Sequence, residues 1–149
     1  MPISLDGMEI KNITVLGSGI MGHGIAQVYA MAGYNIVLRD IEQKFLDKAI
    51  EKIKWSLDKL VSKERISLEE ESEILSRIKP IVDLKDAVHD SDLVIEAVPE
   101  IMDLKKKVYA ELDNVAGDQV IFASNTSTLP ISEIANTLTR PDKFIGIHF

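Results

Sequence analysis

The stretch "VLGSGIMGHGIAQ", residues 15–27, constrains the fold of this chain more than any other. Glycine inside a regular element costs about 0.5–1 kcal/mol relative to alanine. Yet Gly17, Gly19, Gly22 and Gly24 crowd the junction between a strand pattern, "EIKNITVLG" (9–17), and a helical one, "IMGHGIAQVYAMAG" (20–33). Ile20, Met21, Gly24, Ile25, Val28 and Met31 fall near helical spacing, and Gly33 is a natural stop. "YNIVLRD" (34–40) then reads as a second strand that ends on Asp40. Strand, glycine loop, helix and strand within about 30 residues make one βαβ unit.

Gly17, Gly19 and Gly22 stand as G-x-G-x-x-G at the mouth of the helix. Each glycine has a mechanical reason. The first allows a tight turn, the second lets the backbone approach a pyrophosphate, and the third lets helix and strand pack closely. The helix N-terminus offers N–H groups and partial positive charge to the phosphates. Ile20 and Met21, between the second and third glycines, go with them as cofactor contacts. His23 and Gly24 take no such role. Asp40 lies about 20 residues beyond Gly19, the spacing of a carboxylate that holds a ribose hydroxyl pair. A carboxylate there repels a 2′-phosphate, which favours NAD over NADP. Arg39 beside it is the residue that would suit a 2′-phosphate, and flavin domains share the fingerprint.

The rest of the chain keeps the alternation. Residues 42–61 form an amphipathic helix with Phe45, Leu46, Ala49, Ile53, Leu57 and Leu60 on one stripe. Ser67 and Glu70 resemble a capping box that opens a second helix through Ile78, before Pro80. The pair is longer than a crossover requires, so it is expected to project from the sheet. Strands follow at 79–83, 92–98, 119–124 and 143–149, with helices at 101–116 and 129–138. Alternating strands and helices imply an α/β domain of Rossmann type, a doubly wound, mostly parallel sheet covered on both faces.

Composition narrows the function. A net charge of −7 lacks the basic footprint that nucleic acid requires. The absence of cysteine removes disulfides and thiolate metal sites, and no metal site is expected. No apolar run approaches the roughly 20 residues that span a bilayer, and the N-terminus lacks the pattern of a secretory signal. A cytoplasmic, soluble domain with neither nucleic acid nor membrane as partner is expected.

A second polar stretch, "FASNTSTLPISEIA" (122–135), follows a strand end, where open parallel sheets bind their ligands. Asn125 offers the donor and acceptor that suit a carboxamide. Taken locally, such a run reads as a helix cap. Together, "GSGIMGHGIAQ", "VIEAVPE" (94–100), "SNTST" and the closing "FIGIHF" resemble the 3-hydroxyacyl-CoA dehydrogenase family from about residue 10 to the last residue.

That resemblance implies a set of roles. Asp40 resembles the acid on the adenosine ribose. Glu100 and Lys105 match cofactor-contacting positions, and Asn125 the residue near the nicotinamide. Ser127 matches a serine that binds the substrate oxygen, and His148 the catalytic histidine. Ser56 and Lys63 match positions associated with coenzyme A; read alone, they are a neutral helix residue and a solvated lysine. Histidine titrates near pH 6.5, so it can take a hydroxyl proton while a hydride leaves the adjacent carbon. The implied substrate is a 3-hydroxyacyl-CoA and the implied cofactor NAD.

In the family, the "HF" pair leads into a carboxylate partner for the histidine and then a helical substrate and dimerisation domain. The sequence here stops at Phe149. The expectation is an NAD-binding domain, 1–149, without that helical domain. It should bind NAD with little or no turnover and expose apolar surface near its last strand, while the whole protein is a homodimer. Two other readings are a β-hydroxyacid dehydrogenase of the hydroxyisobutyrate or 6-phosphogluconate type, and a non-catalytic NAD-binding module.

Overall fold

The fold grows outward from Asn12–Leu16 (β3), which is buried along nearly its whole length. A computed structural model describes residues 3–5, 7–126 and 129–147. The remaining strands are Ile3–Leu5 (β1), Met8–Ile10 (β2), Asn35–Arg39 (β4), Ile78–Ile81 (β5), Leu93–Glu96 (β6), Ile121–Asn125 (β7) and Phe144–Ile147 (β8). The helices are Ile20–Met31 (α1), Gln43–Ser62 (α2), Leu68–Ser76 (α3), Leu84–Val88 (α4), Met102–Val115 (α5) and Ile131–Ala135 (α6). Six strands form one parallel sheet in the order β5-β4-β3-β6-β7-β8. The strand order reverses direction between β3 and β6, and such a switch point opens a crevice at the strands' carboxyl ends.

Period-two alternation divides the sheet's side chains between two cores. Ile13, Val15, Ile36, Leu38, Leu93, Ile95 and Ala123 pack with α1, α2 and α3. Leu16, Val94 and Phe122 pack with Val88 of α4, Tyr109 and Leu112 of α5 and Ile134 of α6. On α2, Leu46, Ala49, Ile53 and Leu57 are essentially fully buried in the first core. At about 1.5–3 kcal/mol for each large side chain, that stripe binds the helix firmly. The pair α2–α3 therefore stands away from the sheet only with its outer face. The capping box is present as expected: the Ser67 hydroxyl accepts from Glu70 N–H, and the Glu70 carboxylate accepts from Ser67 N–H.

Three elements depart from the sequence pattern. The reading of 9–17 as one strand breaks at Lys11: Met8–Ile10 instead pairs antiparallel with Ile3–Leu5. The helix expected through Ile78 ends at Ser76, because Ile78 pairs with Ile36 and starts β5. Pro80 lies inside that strand, which is tolerated because β5 is an edge. On α1, Val28 and Met31 face solvent, and the helix meets the sheet through Gly22, Ile25, Ala26 and Ala30. At the other edge, Ile145 of β8 and Ile131 of α6 are exposed apolar side chains.

Candidate functional site

Three glycines shape the loop between β3 and α1, each for a different reason. Gly17 has φ +92°, and a Cβ there would lie 2.7 Å from the Ala97 carbonyl oxygen at the end of β6. A Cβ on Gly22 would lie 1.7 Å from the Gly17 carbonyl oxygen, so only glycine permits the helix to start this close to the strand. A Cβ on Gly19 would meet nothing within 4 Å; that position opens to the crevice. No side chain caps α1 at Gly19 and its first turn carries no acid, leaving the positive helix end to an anion. Ile20 and Met21 are exposed at the same mouth.

Asp40 follows β4 at the same edge of the sheet. Its Oδ2 accepts from the Ser18 N–H at 3.0 Å and from the Ser18 hydroxyl, and its Oδ1 accepts from the Ile41 N–H at 2.7 Å. The buried Ser18 thus ties the glycine loop to the acid. Beside them lies a cavity of about 160 Å³ lined by Ser18, Gly19, Asp40, Phe45, Lys48, Ala49 and Lys52. Arg39 donates from Nε to the Val82 carbonyl at 2.9 Å. The arginine that would suit a 2′-phosphate is thereby engaged at the end of β5. An open backbone at Gly19, an uncapped helix end and a carboxylate beside a cavity fit a dinucleotide whose ribose carries free hydroxyls.

The carboxyl ends of β6 and β7 hold a different construction. Glu96 and Ser124 are register partners on the α5 face. Glu96 and Lys105 are both 0% exposed. Lys105 Nζ donates to both Glu96 oxygens, at 3.0 and 2.9 Å, and forms an ion pair with Glu100 Oε1 at 3.0 Å. The Ser124 hydroxyl donates to Glu96 Oε1 at 2.7 Å, and Val98 N–H to Glu96 Oε2 at 2.8 Å. Thr126 donates to Glu100 Oε1 at 2.7 Å. Tyr109 donates to the Ala123 carbonyl, and burial, then the Glu96 carboxylate, pushes its phenol well above the ordinary tyrosine range.

Lys105 is therefore enclosed, and among the described residues Glu100 is its partner on the crevice side. Asn125 ends β7, partly exposed, between Ser124 and Thr126. The partners Glu96, Ser124, Thr126 and Ser18 escape a sequence reading. The one available signal was a glutamate inside the apolar strand "LVIEAV". An acid at a fully buried strand position needs a buried cation. Ser127 and His148 lie outside the described residues.

Ser56 sits on α2, and Lys63 follows its last residue. Ser56 Oγ accepts from Gln27 Nε2 at 2.9 Å. It lines a cavity of about 450 Å³ with His23, Gly24, Gln27, Lys52 and Trp55. Lys52 borders both this cavity and the one beside Asp40. Lys63 is exposed just beyond the last turn of α2. His23 Nδ1 contacts the Gly19 carbonyl at 2.6 Å, so its ring stands at the helix mouth.

Residues 12–149 match the family model described as "3-hydroxyacyl-CoA dehydrogenase, NAD binding domain". The chain is 46% identical over 141 residues to the fatty acid oxidation complex subunit alpha of Idiomarina loihiensis, covering 95% of this chain and 20% of that one. It is 42% identical over 145 residues to mitochondrial hydroxyacyl-coenzyme A dehydrogenase of Homo sapiens, covering 94% and 46%. The crystal structure of (S)-3-hydroxybutyryl-CoA dehydrogenase from Ralstonia eutropha superposes with a TM-score of 0.91 at 39% identity, covering 94% of this chain and 49% of that one. The chain thus spans between a fifth and a half of the relatives it matches.

Proposed function

The chain belongs to the 3-hydroxyacyl-CoA dehydrogenase family, as its NAD-binding domain, and from that premise we propose that it serves the oxidation of a 3-hydroxyacyl-CoA to the 3-oxoacyl-CoA. NAD, when bound, supplies the hydride acceptor. The protein's own residues bind, orient and move the proton. Asp40 holds the adenosine ribose, and the α1 mouth at Gly19–Gly22 receives the pyrophosphate. Glu100 and Asn125, beyond β6 and at the end of β7 across the switch point, would hold the other half of the dinucleotide. Lys105 acts there by fixing Glu100.

Ser127 binds the substrate oxygen and His148 takes the hydroxyl proton, returning it in the reverse direction. These two roles rest on the motifs "SNTST" and "FIGIHF". Ser56, which lines the cavity between α1 and α2, and Lys63, just beyond the end of α2, hold the coenzyme A portion. A second, helical domain completes the substrate wall and joins two copies into a dimer. Family membership favours this reading over a hydroxyisobutyrate or 6-phosphogluconate type dehydrogenase and over a module that only binds NAD.

The observation that carries the proposal is the common edge: the glycine loop, Asp40, Glu100 and Asn125 all lie at or just beyond the carboxyl ends of adjacent parallel strands. The test is calorimetric titration with NAD and NADP in parallel, followed by NADH fluorescence after addition of a 3-hydroxyacyl-CoA. NAD binding without NADP binding is expected, with slow or no NADH formation by residues 1–149 alone. Equal binding of NADP would overturn the role of Asp40. Rapid turnover would overturn the need for a second domain.

A further inference from the structure

Asp40 meets the cavity beside the glycine loop with its acceptors already partly occupied. Its Oδ2 takes two donors from one residue, the Ser18 N–H at 3.0 Å and the Ser18 hydroxyl at 2.5 Å. Two donors fill the two lone pairs of a carboxylate oxygen. Its Oδ1 takes the Ile41 N–H at 2.7 Å, which leaves room there for at most one further donor. A ribose diol brings two hydroxyl donors. Held as it is, Asp40 can accept only one of them. Ser18 has the acceptor for the other. Its hydroxyl gives its proton to Asp40 and keeps two lone pairs. Donation to a carboxylate polarises that hydroxyl and makes its oxygen a better acceptor. Ser18 is buried, yet it lines the cavity of about 160 Å³ together with Gly19 and Asp40.

We propose that Ser18 is a second ribose ligand. One ribose hydroxyl donates to Asp40 Oδ1 and the other to Ser18 Oγ, whose own proton stays on Asp40 Oδ2. The diol is then read by two side chains, one from the glycine loop and one from the end of β4. The bond that ties loop to acid survives cofactor binding. This rests on the reading above, that Asp40 holds the adenosine ribose, and divides that role between two residues. The opposite arrangement has Asp40 accept both hydroxyls. The Ser18 hydroxyl must then leave Oδ2 first, and deleting it would strengthen binding.

The experiment is calorimetric titration of the wild type, Ser18→Ala and Ser18→Gly with three ligands: NAD and its 2′-deoxyadenosine and 3′-deoxyadenosine analogues. The readout is the ratio of each analogue's dissociation constant to that of NAD. A distorted loop weakens all three ligands alike and leaves both ratios where they were. The wild type should bind both analogues more weakly than NAD. The penalty should be about tenfold or more for the hydroxyl on the Asp40 carboxylate, and about three- to tenfold for the one on Ser18. In Ser18→Ala, NAD itself should weaken about three- to tenfold. One ratio should fall to about 1, as for a lost bond, and the other should keep its wild-type value. Ser18→Gly removes the same hydroxyl without leaving a methyl in the cavity; it should repeat the pattern and serves if the alanine variant fails to fold. Both ratios unchanged in the folded variants, whatever their affinity for NAD, would overturn the proposal. So would a wild type that discriminates against only one analogue, which leaves Asp40 alone as the ribose ligand. A wild type that binds NAD and both analogues equally overturns the ribose role of Asp40 and this proposal with it.

Discussion

The two halves of the crevice are built by opposite means. Around β3, α1 and β4 the site is made of backbone: a turn only glycine can make at Gly17, a close approach only glycine permits at Gly22, and an open helix end. Its side-chain link, Ser18 to Asp40, joins two ends of one βαβ unit. Around β6 and β7 the site is made of side chains. Lys105 from α5, Ser124 from β7 and Thr126 just after it converge on two carboxylates, Glu96 of β6 and Glu100 beyond it. The first half is specified within about 30 contiguous residues. The second depends on the register that sets Glu96 beside Ser124. One half tolerates change in its side chains but not in its backbone space; the other is the reverse.

The sharpest way to break this contrast is Lys105→Met. The substitution keeps apolar volume but strands Glu96, a fully buried carboxylate, without its cation. Removing one partner of a buried ion pair typically costs about 3–5 kcal/mol. A fall of that size in denaturant-derived stability is expected. A loss below about 1 kcal/mol would show that the pair is dispensable to the fold, as exposed pairs are.

Gly22→Ala tests the other half and should cost about 1–3 kcal/mol. The new Cβ would meet a backbone oxygen, Gly17 O, so relief requires moving the loop itself. The same variant should abolish measurable NAD binding in calorimetry. Gly19→Ala is its control: no atom lies within 4 Å of the new Cβ, so the fold should keep its stability while the cofactor loses its approach. If both variants bind NAD like the wild type, the loop is only a turn.

This difference in construction explains what could be read from the sequence. The glycine spacing, the acid at the end of β4, the α2 stripe apart from the exposed Phe45, and the Ser67–Glu70 box are local patterns, and each is present. The start of β5 at Ile78 was not legible, because pairing with Ile36 ends the helix there. The packing face of α1 was misleading. Close approach to the sheet selects the small Gly22, Ala26 and Ala30, so hydrophobicity pointed to the exposed Val28 and Met31. Lys105 was legible as a position but not as a buried one; its partners sit 9 and 5 residues away, Glu96 on a different element and Glu100 on the connecting loop. Ser124 and Thr126 looked like helix caps because their acceptors arrive from β6 and the loop that follows it.

Asp40→Asn should have a smaller effect than either break. The carboxylate accepts from Ser18 and Ile41 in the free protein, and an amide oxygen can keep part of that set. What it loses is charge-assisted bonding to a ribose diol, about 1.5–3 kcal/mol for a bond to a charged group. NAD affinity should fall at least tenfold, and discrimination against NADP should narrow, because repulsion of a 2′-phosphate is gone. Unchanged selectivity between the two cofactors, measured by calorimetry, would move the discrimination away from Asp40.

Ser67→Ala is the smallest expected effect and the calibration for the others. Ser67 caps α3, a feature specified by four consecutive residues and remote from both halves of the crevice. Loss of an N-cap side chain costs about 1 kcal/mol. The cost should appear entirely in the unfolding free energy, with the NAD dissociation constant unmoved. α3 touches the first core through Ile74, whereas the site's anions rest on the second core's side of the sheet, with α5. If this distant cap did shift NAD affinity, the two cores would be coupled through the sheet. The losses measured for Lys105→Met and Gly22→Ala could not then be assigned to separate halves of the site.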